Sequence, residues 1–168
     1  MDLTKKDRIF LINQYKILAS LYENEADHYN ELIEILQSGY EIFYSMIDEW
    51  VFDDMPKEKG RLVLSILDFY RAIEDLKRSC KSEVLTENYY SFFRGFDGNN
   101  ETEYMGFARF LINSQGKFAE QQQYLMKNDS LNSHMPMVEK YQRILDKWKE
   151  LGKNWKLTEE QALEILNA

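Results

Sequence analysis

Residues 62–76 read Leu62-Val63-Leu64-Ser65-Ile66-Leu67-Asp68-Phe69-Tyr70-Arg71-Ala72-Ile73-Glu74-Asp75-Leu76. Leu62, Ile66, Phe69, Tyr70 and Ile73 recur three or four positions apart, which is the period of a helix with a buried face. Pro56 fits the first turn of this helix, where a missing N–H costs nothing. Lys77 and Arg78 fall near its C-terminus, where cations are favoured. The same spacing continues almost throughout the chain. Helix formers are abundant, there are only 2 Pro and 7 Gly, and no stretch sustains the alternation of a strand. The pattern predicts an all-α fold: one compact domain over residues 1–168, about seven to eight helices, no sheet.

Working outward, Thr4 caps a first helix with Asp7 near its positive end, running to about Tyr22. Leu11, Tyr15, Leu18 and Tyr22 make its apolar stripe. Phe10 and Ile17 widen that stripe, which predicts burial on more than one side. A second helix covers about Glu25 to Ser38, presents Tyr29, Leu32, Ile33 and Leu36, and stops at Gly39. A third is expected from Tyr40 to Trp50, with Phe43, Met46, Ile47 and Trp50 aligned. Thr86 caps a short helix through Tyr90 and Phe93. The next begins near Glu101 and carries Tyr104, Phe107, Ala108 and Leu111. Residues 113–135 are the least regular part and include the polar run Glu120-Gln121-Gln122-Gln123; the segment from Gln115 to Asn128 reads as a partner-binding strap or as a solvated loop plus a short helix. Pro136 opens a helix with the face Met137, Tyr141, Ile144, Leu145, Trp148 and Leu151, ended by Gly152. Thr158 and Gln161 form a capping box before a short terminal helix carrying Ala162, Ile165 and Leu166.

The 168 residues carry a formal net charge of -8. An acidic surface repels phosphate backbones, which argues against nucleic acid and anionic membranes as partners. A single cysteine, Cys80, permits no internal disulfide and suits a reducing compartment, so a cytoplasmic location is expected. The first residues lack the apolar core of a secretory signal, and no apolar run reaches the roughly 20 residues that span a bilayer. The 11 Tyr, 10 Phe and 3 Trp suit a subunit interface, although a thick monomeric core would use them too.

Three stretches resemble the YfbU family. They are Asn13-Gln14-Tyr15-Lys16-Ile17-Leu18, the turn Phe96-Asp97-Gly98-Asn99-Asn100-Glu101 followed by Tyr104, and Asn132-Ser133-His134-Met135-Pro136-Met137 followed by Glu139-Lys140-Tyr141. Their order and spacing span nearly the whole chain. The resemblance implies a bacterial, soluble, helical domain, and it brings no catalytic residues with it.

The candidate chemistry centres on Arg94-Gly95-Phe96-Asp97-Gly98-Asn99-Asn100-Glu101. Gly95 and Gly98 suit a tight reversal. Asn100 with Glu103 suggests a capping box for the following helix. Asp97, Asn99 and Glu101 are oxygen donors at alternate positions, as in a calcium loop. However, the sixth position holds Thr102 where glycine is required, and the twelfth holds Ala108 where glutamate is required. Arg94 either holds an anion or braces the turn by pairing with Asp97. His134, before Pro136, is the natural acid/base group near neutral pH. The two histidines and one cysteine are scattered without zinc-ligand spacing, and no Walker A, GxSxG or GxGxxG motif is present, so no catalytic residue, metal or cofactor is assigned. The leading expectation is a non-catalytic regulatory or protein-interaction domain that forms a homo-oligomer and could engage a further protein partner. The alternative is a small-ligand binder or enzyme whose site joins Arg94, Asp97, Asn99 and Glu101 to His134.

Overall fold

The computed structural model describes residues 2–168. Every regular element among them is helical, and the one strand-like pairing is an isolated parallel bridge between Phe96 and Asn132. The chain divides into two compact units, Met1–Asp54 and Met55–Ala168. The division falls between Asp54 and Met55, just before Pro56.

The first unit is a helical hairpin. Its first helix, α1, spans Lys5–Leu21 and begins with the expected cap: Thr4 and Asp7 form a reciprocal capping box. The second, α2, spans Ala26–Ser38 and stops at Gly39, whose φ of 70° is the left-handed stop predicted for it. Leu32, Ile35 and Leu36 of α2 are buried with Tyr44 and Ile47, and Leu11, Ile12 and Tyr15 of α1 pack against them. Two expectations fail here. Phe10 and Ile17 are not buried; they are 66% and 55% exposed, and α1 has no buried residue at all. The continuous helix expected from Tyr40 to Trp50 is instead a 3-10 turn at Glu41–Phe43 followed by the single-turn α3, Ser45–Asp48. Only Tyr44 and Ile47 anchor this stretch, too little burial to offset the cost of nucleating a longer helix. Trp50 is 74% exposed.

The second unit is built around α4, Lys57–Cys80. Val63, Ile66, Leu67, Phe69, Tyr70, Ala72 and Ile73 are all buried, so the stripe read from the sequence broadens until α4 is enclosed by α6 (Thr102–Arg109), α7 (Val138–Glu150) and α8 (Glu159–Leu166). Pro56 sits at the cap position, one residue before the first turn. On α7, Tyr141, Ile144, Leu145 and Trp148 are buried as expected, and α8 starts with the Thr158–Gln161 capping box.

The short α5, Glu83–Glu87, starts earlier than predicted. Ser82 caps it, accepting from the Leu85 N–H at 3.1 Å, while the Thr86 hydroxyl donates back to the Ser82 carbonyl at 2.7 Å. Both residues are cap formers; Ser82 wins because it places Leu85 in the core, fully buried. Asn88 then accepts from the Tyr90 N–H and stops the helix. The segment from Gln115 to Asn128, read as a strap or as a solvated loop plus a short helix, contains a 3-10 helix, Ala119–Lys127, that is fastened to α4. Tyr124 donates to the buried Glu74 at 2.7 Å, Lys77 pairs with the same carboxylate at 3.0 Å, and Arg71 pairs with Glu120 at 2.7 Å.

Replacing Ser82 by alanine is expected to destabilise the protein by about 1 kcal/mol, the usual worth of an N-cap. Thr86→Ala should change stability by less than about 0.5 kcal/mol. Urea unfolding of the two variants separates these outcomes.

Candidate functional site

The candidate residues lie where two loops run side by side. The first loop is anchored by Phe93 and Phe96, both fully buried. Their rings pack on Tyr141, and Phe93 also meets Tyr70. Burial pushes the Tyr141 phenol well up, so it stays protonated. Its hydroxyl accepts from the Arg94 N–H at 3.1 Å and donates to the Gly95 carbonyl at 2.9 Å. Gly95 has φ +82°, and a Cβ there would lie 2.0 Å from the Leu131 carbonyl oxygen. Glycine is needed twice over, for the left-handed backbone and for the close approach.

That approach is what joins the loops. The Phe96 N–H donates to the Leu131 carbonyl and the Ser133 N–H to the Phe96 carbonyl, each at 3.0 Å. Asn128 donates to the Phe93 carbonyl at 3.1 Å, and the Asn132 side chain accepts from the Gly98 N–H at 3.0 Å. The second loop bends sharply to do this: Asp129, Ser130 and Leu131 are consecutively left-handed, as is His134. Asn128 and Asn132 are not among the candidate site residues read from the sequence. Their signal, asparagines flanking a turn, is common to most loops.

Glu101 is the hub. It stands at the N-cap position of α6 but does not cap that helix with its side chain. Its carboxylate, 7% exposed, accepts from the Asp97 N–H at 3.0 Å, from the Met137 N–H at 2.8 Å and from the Val138 N–H at 2.8 Å. The last two are the unpaired donors at the start of α7, so a residue of one helix start caps another. The capping box expected from Asn100 and Glu103 is not formed. Asn100 donates to Asp97, and Glu103 pairs with Lys59.

Asp97 is also turned inward and 4% exposed. It accepts from the Asn100 side chain and from the Asn99 N–H. Those hydrogen bonds, the Asn100 bond foremost, hold its carboxyl below the ordinary value, and the neighbouring His134 adds to the pull. His134 is exposed and lies 3.3 Å from Asp129. Asp97, Asn99, Glu101 and His134 are thus brought together. Arg94 turns elsewhere: its guanidinium lies 4.1 Å from the centre of the Tyr89 ring and 4.6 Å from that of Phe92, and donates to the Tyr89 hydroxyl. The pairing with Asp97 gives way to this aromatic stack. Among the described residues no three His, Cys, Asp or Glu side chains are grouped to hold a metal ion.

A family model described as the YfbU domain matches residues 1–168. The UPF0304 protein MJECS11 of Methanocaldococcus jannaschii is 46% identical over 169 residues, covering 99% of this chain and 99% of the relative. The chain belongs to the YfbU family.

Glu101→Ala would strand three backbone N–H groups, at about 1 kcal/mol or more each. A loss of about 3 kcal/mol in chemical denaturation is expected, with Glu101→Gln intermediate because its amide keeps one acceptor oxygen. Gly95→Ala should be at least as damaging. An alanine variant at residue 101 as stable as the parent would remove the carboxylate from its role as hub.

Proposed function

We propose that this member of the YfbU family is a cytoplasmic, non-catalytic interaction module that works as a homo-oligomer through residues 2–54. The observation that carries this reading is the outer side of α1. At 100° per residue, Phe10, Ile17 and Leu21 fall within about 40° of one another, in a stripe centred roughly 110° round the helix from Leu11, Tyr15 and Leu18. They are 66%, 55% and 68% exposed. Trp50 and Phe52, also of this unit, are 74% and 90% exposed. A helix of 17 residues with none buried draws little stability from its own unit, and contiguous exposed apolar surface marks a contact site.

A second copy is the occupant that the charges favour. The α1 helix carries Lys5, Lys6, Arg8 and Lys16 against a single acid, Asp7. The α2 helix carries Asp27, Glu31 and Glu34 with no Lys or Arg, and Glu23 and Glu25 precede it. A two-fold axis that lays α1 on the partner's α2 matches both stripes at once. Burying Phe10, Ile17 and Leu21 on both copies contributes roughly 12 kcal/mol at about 2 kcal/mol each. Association costs about 4–15 kcal/mol, so Trp50 and Phe52 must contribute as well. The cytoplasmic location is supported by the exposed unpaired Cys80. Among the described residues no helix is long and apolar enough to cross a membrane.

Sedimentation equilibrium at low micromolar concentration is expected to give a dimer or larger assembly. The double substitution Phe10→Glu and Leu21→Glu should give a monomer whose second unit keeps its unfolding midpoint. A monomeric parent protein would refute the assembly.

A second reading keeps a small-ligand site at the junction of Asp97, Asn99, Glu101 and His134, with Arg94 beside it. It is favoured by the exposed His134 imidazole standing close enough to Asp97 to influence its proton affinity. A thermal-shift screen with metals, nucleotides and organic acids tests it. A stabilisation lost in His134→Ala would support this reading; no response from any compound would count against it.

A further inference from the structure

The second unit contains a cleft that neither reading uses. It lies between the first turns of α4 and the end of α7 and encloses a cavity of about 240 Å³. Leu62, Leu145 and Trp148 form its apolar floor, and Arg61, Ser65 and Lys153 stand around it. Leu145 and Trp148 belong to the buried core, so the floor is rigid. Lys149 and Glu58 complete the rim. Three cations therefore face one carboxylate, on a chain whose overall charge is -8. Lys149 already leans toward Asp146 at 3.5 Å. The Arg61 guanidinium and the Ser65 hydroxyl, one turn apart on α4, make no hydrogen bond or ion pair among the described residues.

Lys153 is placed by the chain reversal that ends α7. Gly152 and Lys153 are both left-handed, with φ of 80° and 51°. The Lys153 N–H returns to the Trp148 carbonyl at 2.8 Å, and its ammonium lies 5.4 Å from the centre of the Trp148 ring. Burial pushes the Asp68 carboxyl up, and the charges of Arg71 and Lys153 pull it back. Arg61 makes no ion pair among the described residues, and Glu58, one turn before it on α4, is the one carboxylate on the rim.

We propose that this cleft binds a small organic anion, a carboxylate or phosphate ester that carries an apolar ring or short chain. Arg61 supplies a planar fork for the anionic oxygens, Lys153 a second charge, and Ser65 a hydroxyl donor. Leu62 and the exposed margin of Leu145 take the apolar body, with the buried Trp148 behind them. The volume is below the roughly 300 Å³ of common drug-sized sites, which limits the ligand to a single ring or an equivalent chain.

The test is an NMR titration of the intact protein with benzoate and with phenyl phosphate, following the Trp148 indole N–H. Inorganic phosphate and benzyl alcohol test charge alone and apolar surface alone. Saturable shifts are expected with at least one organic anion, and each control should bind at least about tenfold more weakly. Arg61→Ala should weaken binding by about tenfold or more, the worth of one charge-assisted contact. Lys153→Ala should weaken it in the same direction. Both side chains are exposed, so thermal unfolding should stay unchanged. No saturable shift with either organic anion, equal binding of inorganic phosphate, or unchanged affinity in both variants would overturn the assignment.

Discussion

The second unit depends on a buried carboxylate. Glu101 collects N–H groups from its own turn and from the first residues of α7, 36 positions later in the chain. A buried carboxylate is costly unless every oxygen is hydrogen-bonded, and a helix start is costly unless its donors are met. Each requirement satisfies the other here. The consequence is geometric: α6 and α7 must start side by side. Once they do, Tyr141 falls against Phe93 and Phe96, and its hydroxyl reaches the Gly95 carbonyl. The two loops are then close enough for Gly95 to meet Leu131 without a side chain between them.

This accounts for why the junction is so rich in residues that look chemical. Asp97 and Glu101 are acidic because backbone donors in the interior need charged acceptors, and their oxygens are largely occupied in meeting that need. The groups left facing solvent, Asn99 and His134, stand on the rim of a rigid brace. The first unit has the opposite character. Its hairpin closes a small core around Leu32, Ile35, Leu36, Tyr44 and Ile47 and leaves its largest apolar side chains outside.

Local signals were legible in the sequence. The Thr4–Asp7 and Thr158–Gln161 boxes and the Gly39 stop each involve residues within one turn of each other. The α7 stripe was legible because a helix buried on one face writes its period directly into the residue order. What failed was decided by partners distant in sequence. Phe10 and Ile17 are as apolar as Leu11 and Leu18, and periodicity alone does not say which stripe finds a partner within the chain. The stretch from Tyr40 to Trp50 carries helical spacing, yet only Tyr44 and Ile47 are buried, with Met46 packed at their edge. Glu101 was read as a helix-start residue, which it is by position, but its carboxylate serves α7. A pairing of Arg94 with Asp97 was one of the two roles open to that arginine because the two are near in sequence; the aromatic surfaces of Tyr89 and Phe92 outcompete that contact. The proximity of His134 to Asp97 could be posed as a question from the residues, but only the bridge between Phe96 and Asn132 answers it.

The central claim is that the outer side of α1 is a contact surface for a second copy. Amide hydrogen exchange of residues 5–21, measured from nanomolar to high micromolar protein, tests it most directly. The account predicts that protection of α1 rises with concentration while that of α4 and α7 stays constant. Protection of α1 that is the same at every concentration would contradict it.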